Sequence, residues 1–168
     1  MTTLYLVRHG ETEENVNHIL QGHLPGHLSA KGIEQLQTLR EELLPIHFDA
    51  VVCSDLTRCV DSTRILTENR KLSITYTALL RERDWGSFTG RNIQDIQHTT
   101  FPGDVESVED LLTRAGHFLQ FIRENYEGKT ILVVSHGLFC RAIRSACTHI
   151  PMKDIDRMQN ATYRILTL

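Results

Sequence analysis

The sequence predicts an α/β fold, a three-layer α/β/α sandwich built around a mainly parallel sheet. Short apolar segments at 4–7, 48–53 and 131–134 have the length of buried strands, and 73–79 is rich in residues that favour strands. Stretches with a helical spacing of apolar residues lie between these segments. Strands that alternate with helices form parallel sheets covered on both faces, which gives the three layers.

Helix signals follow the first two strands. Ser29 is a good N-cap for a helix that ends before Pro45. Ser54 and Asp55, directly after the second strand, are candidate caps for a helix over 56–68. The first half of the chain therefore supplies two strands and two helices.

The second half of the chain has the clearest helical period. A capping pattern at Ser107 precedes a run of apolar residues at helical spacing, namely Val108, Leu111, Leu112, Ala115, Phe118, Leu119 and Ile122. A helix over 138–147 follows the last buried strand, and 163–166 is predicted as a final strand at the sheet edge. Glycine and proline interrupt 11–26 and 81–104, so both are predicted to be irregular.

Length and charge limit the possible functions. The 168 residues contain no linker or repeat and predict one domain, 1–168. The net charge of −3 gives no general attraction to nucleic acid or to membrane surfaces, and neither is predicted as a partner. No segment has the ~20 apolar residues of a membrane span, and the N-terminus lacks the pattern of a signal peptide. The cytoplasm is the expected location.

The cysteines and histidines do not form a metal or disulfide pattern. The four cysteines contain no Cys-x-x-Cys pair and are predicted to be reduced. His23 and His27 bracket Pro25, so they cannot share one helix face as paired zinc ligands do. No metal and no cofactor is therefore predicted.

Basic side chains follow three of the predicted strands. Arg8 and His9 end the first strand, Arg58 follows the second by a few residues, and His136 follows the fourth. The carboxyl ends of parallel strands meet at one edge of a sheet, where ligands bind. A helix that starts at Gly137 also directs free N–H groups to this edge. Such a cluster suits phosphate, and Glu82, after the third strand, adds a candidate general acid.

Four motifs resemble those of the histidine phosphatase superfamily, in its phosphoglycerate-mutase-like branch. They are Leu-Val-Arg-His-Gly-Glu-Thr at 6–12, Ser-Asp-Leu-Thr-Arg at 54–58, Leu-Arg-Glu-Arg-Asp-Trp-Gly at 80–86 and Val-Ser-His-Gly at 134–137. They occur in the order of the family and span essentially the whole chain.

The resemblance implies a mechanism for the residues already selected. His9 is expected to be the nucleophile that forms a phosphohistidine. Arg8, Arg58 and His136 are expected to hold the phosphoryl oxygens and stabilise the transition state. Glu82 is expected to protonate the leaving oxygen and then to activate water. This chemistry needs no metal.

The resemblance also implies further contacts with the substrate. Asn15 matches a phosphate-contacting asparagine, and Gln21, Gly22 and Arg83 match positions that line the substrate pocket. Gly137 is expected to bind phosphate through its backbone N–H. The loop after Gly22 lacks an aspartate that is common in the family, which leaves the contacts of this loop open.

The segment 85–106 favours a phosphatase over a mutase. It is much shorter than in phosphoglycerate mutases and lacks their paired arginines. A mutase must exclude water with a lid, whereas a short lid admits water as the acceptor. Two alternatives remain open: phosphoglycerate-mutase-type phosphoryl transfer, and a non-catalytic member that binds a phosphorylated ligand.

Two other phosphatase classes fail on spacing, since neither Cys53 nor Cys59 precedes an arginine by six residues and no Asp-x-Asp follows the first strand. The predicted partner is a small phosphorylated metabolite. Candidates are a sugar phosphate, a phosphoglycerate-like compound, or a nucleoside phosphate such as α-ribazole phosphate.

Overall fold

The computed structural model describes residues 1–168 and has a five-stranded sheet at its centre. The strands are β1 (Thr3–Arg8), β2 (Ala50–Ser54), β3 (Ile74–Thr77), β4 (Thr130–Ser135) and β5 (Tyr163–Thr167). Their order across the sheet is β3-β2-β4-β1-β5. The first four are parallel, and β5 pairs antiparallel with β1 at the edge. This confirms the predicted fold class.

Helices cover both faces of the sheet. They are α1 (Glu13–Val16), α2 (Ala30–Leu43), α3 (Thr57–Leu66), α4 (Ile93–Ile96), α5 (Val108–Asn125) and α6 (Gly137–Thr148). One core packs side chains of α2 and α3 on the sheet, and the other packs those of α5 and α6. In β4, Ile131 and Val133 join one core while Leu132 and Val134 join the other. A strand that is buried on both faces must be apolar at every position, as the sequence is here.

The strand register brings the predicted site residues to one edge. Arg8 at the end of β1 pairs with Ser135 at the end of β4, and Ser54 at the end of β2 pairs with Thr77 at the end of β3. The chain therefore leaves all four parallel strands on the same side. His9 and His136 come immediately after β1 and β4, and Arg58 lies in the first turn of α3, four residues after β2.

Two predicted boundaries are wrong around the second and third strands. Helix α3 begins at Thr57 behind Leu56, which provides no side-chain cap. Ser54 Oγ accepts from the backbone N of Leu56 at 3.3 Å and is also hydrogen-bonded to Nε2 of His136. Asp55 pairs with Arg81. Strand β3 ends at Thr77 because residues 78–80 form a 3₁₀ turn. The Thr77 hydroxyl caps this turn by accepting from the backbone N of Leu79.

The two segments predicted to be irregular contain short helices. Helix α1 interrupts 11–26, where the side chain of Thr12 accepts a hydrogen bond from Asn15 N as part of a capping box. Helix α4 and a 3₁₀ turn lie within 81–104. No helix has the length and apolar character needed to cross a membrane. No three His, Cys, Asp or Glu side chains are grouped so that they would hold a metal ion.

Candidate active site

A cleft of about 460 Å³ opens at the carboxyl edge of the sheet. It is lined by nine of the ten predicted site residues: Arg8, His9, Asn15, Gln21, Gly22, Arg58, Glu82, Arg83 and Gly137. The tenth, His136, is fully buried, and its ring centroid lies 5.3 Å from that of His9. The structure therefore brings together every residue that the sequence analysis selected.

The imidazole of His9 is held with one nitrogen free. Its Nδ1 lies 2.7 Å from the carbonyl oxygen of Gly10, and because a carbonyl only accepts, Nδ1 carries the proton. Nε2 therefore has the lone pair. Burial, and then the charges of Arg58 and Arg8, lower the pKa of His9 well below its usual 6.5. The ring is neutral, and hence nucleophilic, at neutral pH.

Arg8 lies against the first turn of α6. Its Nη1 donates to the carbonyl oxygen of Met158 at 2.8 Å, and its Nε is buried without a partner. A Cβ at Gly137 would lie 2.9 Å from that Nε and 3.0 Å from Cζ. A side chain at 137 would therefore force the guanidinium of Arg8 to shift from this position.

Arg58 is 1% exposed, and two of its three guanidinium nitrogens donate to main-chain carbonyl groups. Nη2 donates to the carbonyl oxygen of Gly22 at 2.8 Å, and Nη1 donates to the carbonyl oxygens of Leu24 and Pro25. Nε has no partner. Arg58 thus fixes the loop after Gln21 and retains one N–H for a ligand.

His136 lies behind His9 in a fully buried position. Its Nε2 is 2.8 Å from Ser54 Oγ and 3.4 Å from the sulfur of Cys59. Burial, followed by the charge of Arg58, lowers the pKa of His136 well below 6.5. With Nε2 occupied by Ser54, Nδ1 is the nitrogen available to a ligand.

The N-terminus of α6 anchors Glu82. Its carboxylate accepts backbone N–H bonds from Arg83 at 2.8 Å, Phe139 at 3.1 Å and Leu138 at 3.2 Å. The positive end of a helix favours a carboxylate at this position. The side chain is therefore fixed at the wall of the cleft that Gly137 also lines.

Every buried side-chain nitrogen or oxygen without a partner belongs to a residue that lines this cleft. The four atoms are Nε of Arg8, Arg58 and Arg141 and Oε1 of Gln21. Buried polar groups in folded proteins are almost always paired. Three guanidinium N–H groups that remain free in one cleft are donors for the oxygens of an anionic ligand.

Comparison with known proteins identifies the family. The model of the histidine phosphatase superfamily, branch 1, matches residues 4–168. The chain belongs to this superfamily.

Its similarity to relatives spans most of each chain. An adenosylcobalamin/α-ribazole phosphatase of Escherichia coli is 32% identical, over 79% of this chain and 72% of the relative. A broad-specificity phosphatase of Saccharomyces cerevisiae, YOR283W, is 36% identical, over 83% and 67%. The solved structure of Bacillus stearothermophilus YhfR superposes with a TM-score of 0.91 at 27% identity and covers 98% of this chain and 90% of its own. Both phosphatases and proteins of the phosphoglycerate mutase type occur among the curated relatives.

The remaining predicted residues of this histidine phosphatase line the cleft with less direct polar roles. Oδ1 of Asn15 accepts from the backbone N of Thr12 at 3.1 Å and from Nδ2 of Asn160 at 3.3 Å. Arg83 donates through Nε to the carbonyl oxygen of Glu106, and its guanidinium lies 4.7 Å from the ring centroid of Trp85. Both contacts hold these side chains at the edge of the cleft.

Three arginines of the site were missed from the sequence. Arg141 and Arg157 line the cleft, and Arg114 lies behind Glu82. Arg141 follows Gly137 by four residues and so shares its helix face, a spacing that the sequence does show. Arg114 is next to the buried Ala115 on α5, and its guanidinium lies 4.0 Å from the ring centroid of Phe139. A charged residue beside a buried apolar stripe is a signal for an internal partner.

Proposed function

We propose that this member of the histidine phosphatase superfamily hydrolyses a small phosphate monoester through a phosphohistidine intermediate on His9. The observation that carries the proposal is the free Nε2 of His9 beside the unpartnered Nε groups of Arg8 and Arg58. A neutral nucleophile and two fixed cationic donors match the needs of phosphoryl transfer, which depends on positioning and on stabilising charge.

In the first step, the lone pair of His9 Nε2 attacks phosphorus in line with the leaving oxygen. The P–N bond forms as the P–O bond to the alcohol breaks. Glu82, carrying a proton, gives it to the leaving oxygen, so that the alcohol departs neutral. The three backbone N–H bonds to Glu82 support this role by fixing its carboxyl group at the wall of the cleft.

In the second step, water attacks the phosphohistidine. The carboxylate of Glu82 takes a proton from the water as the P–N bond breaks, and inorganic phosphate leaves. The bond from Nδ1 of His9 to the carbonyl oxygen of Gly10 persists through both steps and supports the imidazolium-like charge of the intermediate.

The cations of the cleft stabilise the three equatorial oxygens. Nε–H of Arg8 and of Arg58 and the ring of His136 are the proposed donors, with the backbone N–H groups at the start of α6 as further ones. His136 must be protonated at Nδ1 to donate. These groups supply the charge neutralisation that a metal gives in other phosphatases, so we propose that activity is independent of metal ions.

The proposed substrate is a small phosphorylated metabolite. The E. coli relative is named as acting on adenosylcobalamin or α-ribazole phosphates and the yeast relative as having broad specificity. In this chain, Trp85 and Ile93 are the two residues of the short segment 85–106 that line the cleft. Such a partial cover favours water over a second alcohol as the phosphoryl acceptor.

The experiment is p-nitrophenyl phosphate hydrolysis in the presence of EDTA. We expect turnover by the wild type and a loss of about a thousandfold or more for His9→Ala, because the nucleophile is gone. His117→Ala, at an exposed histidine of α5, is the matched control and retains wild-type turnover. Wild-type inactivity in EDTA, or full activity of His9→Ala, would contradict the proposal.

A second experiment tests Glu82 as the general acid by comparing two leaving groups. p-Nitrophenolate leaves readily without a proton, whereas the alkoxide of an alkyl phosphate does not. Glu82→Gln is therefore expected to slow glycerol 3-phosphate hydrolysis by a larger factor than p-nitrophenyl phosphate hydrolysis. Equal losses for the two substrates would remove Glu82 from the acid role. A third measurement distinguishes hydrolysis from mutase-type transfer. With a second alcohol present in the reaction, hydrolysis yields inorganic phosphate, whereas mutase-type transfer yields the phosphorylated alcohol.

A further inference from the structure

Two arginines in the cleft have no part in the proposed phosphoryl transfer. Arg141 lies on α6 and Arg157 on the segment before β5, and both line the cleft. Nε of Arg141 is buried without a partner. The neighbouring Arg144 and Arg164 are both paired with Asp156, but neither Arg141 nor Arg157 has a carboxylate within ion-pair distance.

Arg141 is placed one helical turn beyond the proposed phosphate position. It follows Gly137 by four residues on the same helix, which is a rise of about 6 Å on one face. The guanidinium of Arg8 lies beside Gly137, since a Cβ there would be 2.9 Å from Arg8 Nε. A ligand that extends from this phosphate along α6 therefore meets Arg141, which lines the same cleft.

The segment that carries Arg157 is fixed on both sides. Before it, Asp156 pairs with Arg144 of α6 and Arg164 of β5. After it, the carbonyl oxygen of Met158 accepts from Arg8 at 2.8 Å. Arg157 is close enough that its charge, in addition to burial, lowers the pKa of Arg8. Arg157 and Arg8 are thus two like charges held near one another, and the carboxylate that acts on Arg8 is Glu82.

The charges of the cleft are not balanced by one phosphate. Five arginines line it, namely Arg8, Arg58, Arg83, Arg141 and Arg157, with Glu82 as the one carboxylate. A phosphate monoester dianion balances two of these five charges while Glu82 carries its proton, and three are balanced when Glu82 is ionised. Because the chain as a whole is negative, the excess is a local feature of this cleft.

We propose that Arg141 and Arg157 form a second anion subsite, which binds a carboxylate or second phosphate group of the substrate about one helical turn from the transferred phosphate. This rests on the proposed function for the identity of the first group. The subsite makes doubly anionic monoesters the preferred substrates and gives the partly open cleft its selectivity.

The test measures binding without turnover. Isothermal titration calorimetry at fixed ionic strength compares 4-phosphonobutyrate with butylphosphonate, two non-hydrolysable ligands that differ in the distal carboxylate. Since charge-assisted hydrogen bonds are at stake, we expect wild type to bind the carboxylate ligand about tenfold to a hundredfold more tightly. The double variant Arg141→Gln/Arg157→Gln is expected to bind the two ligands with similar affinity.

The controls separate this subsite from the phosphate site and from general charge effects. Arg123→Gln removes one exposed positive charge on α5 and is expected to keep the wild-type affinity ratio. Arg141→Lys retains the positive charge and is expected to keep part of the wild-type affinity ratio. If wild type binds both ligands equally, or the double variant keeps the preference, the subsite is refuted while the proposed function stands. If wild type binds neither ligand, the phosphate site itself is refuted as well.

Discussion

At the scale of single residues, glycine at 137 decides where the Arg8 guanidinium lies. The missing side chain leaves the space that Nε and Cζ of Arg8 occupy at 2.9 and 3.0 Å from a would-be Cβ. The same residue begins α6 and therefore presents its N–H to the cleft. One position thus combines two contributions to anion binding, a backbone donor and room for a cation.

Gly137→Ala is expected to lower kcat/KM by roughly tenfold to a hundredfold, because the methyl group displaces Arg8 from its phosphate-facing position. Stability is expected to change by less than about 1 kcal/mol, since alanine favours the helix more than glycine does. Steady-state kinetics with p-nitrophenyl phosphate and urea unfolding measure the two effects.

The matched control is Gly116→Ala on α5. A Cβ at Gly116 meets no atom within 4 Å, so this change is expected to stabilise the protein by about 0.4–1 kcal/mol and to leave kinetics unchanged. Unaltered kcat/KM in Gly137→Ala would show that Arg8 adapts without loss and that its resting position is not critical.

At the scale of elements, Arg114 connects α5 to the strand end that carries Glu82. Its Nη1 donates to the carbonyl oxygens of Leu79 at 3.0 Å and Arg81 at 2.7 Å, and Nη2 to that of Glu82 at 3.3 Å. The guanidinium also pairs with the carboxylate of Glu106 at 2.9 Å. Arg114 is a positioning residue, because it acts on the backbone around Glu82 and does not line the cleft.

Arg114→Gln is expected to reduce stability by about 2–4 kcal/mol, because it leaves Glu106 and several half-buried carbonyl groups without their donor. Loss of the fixed Glu82 backbone is also expected to lower kcat more for glycerol 3-phosphate than for p-nitrophenyl phosphate. A merely structural role would lower both rates equally. Arg123→Gln, at an exposed site of the same helix, is the control and is expected to change neither measurement.

The elements that carry the site residues determine which of these residues the sequence could predict. His9 and His136 directly follow strands and Arg58 follows β2 by four residues. Because parallel strands end at one edge, the sequence alone predicts that these residues lie together. Arg114 and Arg141 lie within helices, where their surroundings depend on how each helix packs on the sheet. Ser54 Oγ bonds both the backbone N of Leu56, just before α3, and His136, and only the fold reveals the second partner.

At the scale of the whole molecule, the site concentrates positive charge in a negatively charged chain. A net charge of −3 coexists with a cleft lined by five arginines. This arrangement attracts small anions to one place without attracting nucleic acid in general. It also carries a cost, since two histidines are buried next to these arginines and must remain neutral in the folded state.

The lowered pKa values of these two histidines predict how stability depends on pH. The pKa values of His9 and His136 are lowered on folding, so below pH 6.5 the unfolded chain binds more protons than the folded one, and stability falls with pH. Each histidine is expected to remove about 1 kcal/mol between pH 7.5 and 5.5. The carboxyl groups whose pKa is lowered, such as Asp156 with a pKa of about 2, stabilise the fold above their unfolded values and lose this effect only in more acidic solution.

Urea unfolding at several pH values in phosphate-free buffer measures this dependence for the wild type and His136→Gln. The variant removes one of the two buried imidazoles, so its loss of stability between pH 7.5 and 5.5 is expected to be about half that of the wild type, whatever its stability at pH 7.5. His117→Ala, at an exposed histidine, is expected to keep the full wild-type slope. An unchanged slope in His136→Gln would mean that His136 accepts a proton in the folded protein as readily as in the unfolded chain. Burial beside Arg58 would then not determine its charge.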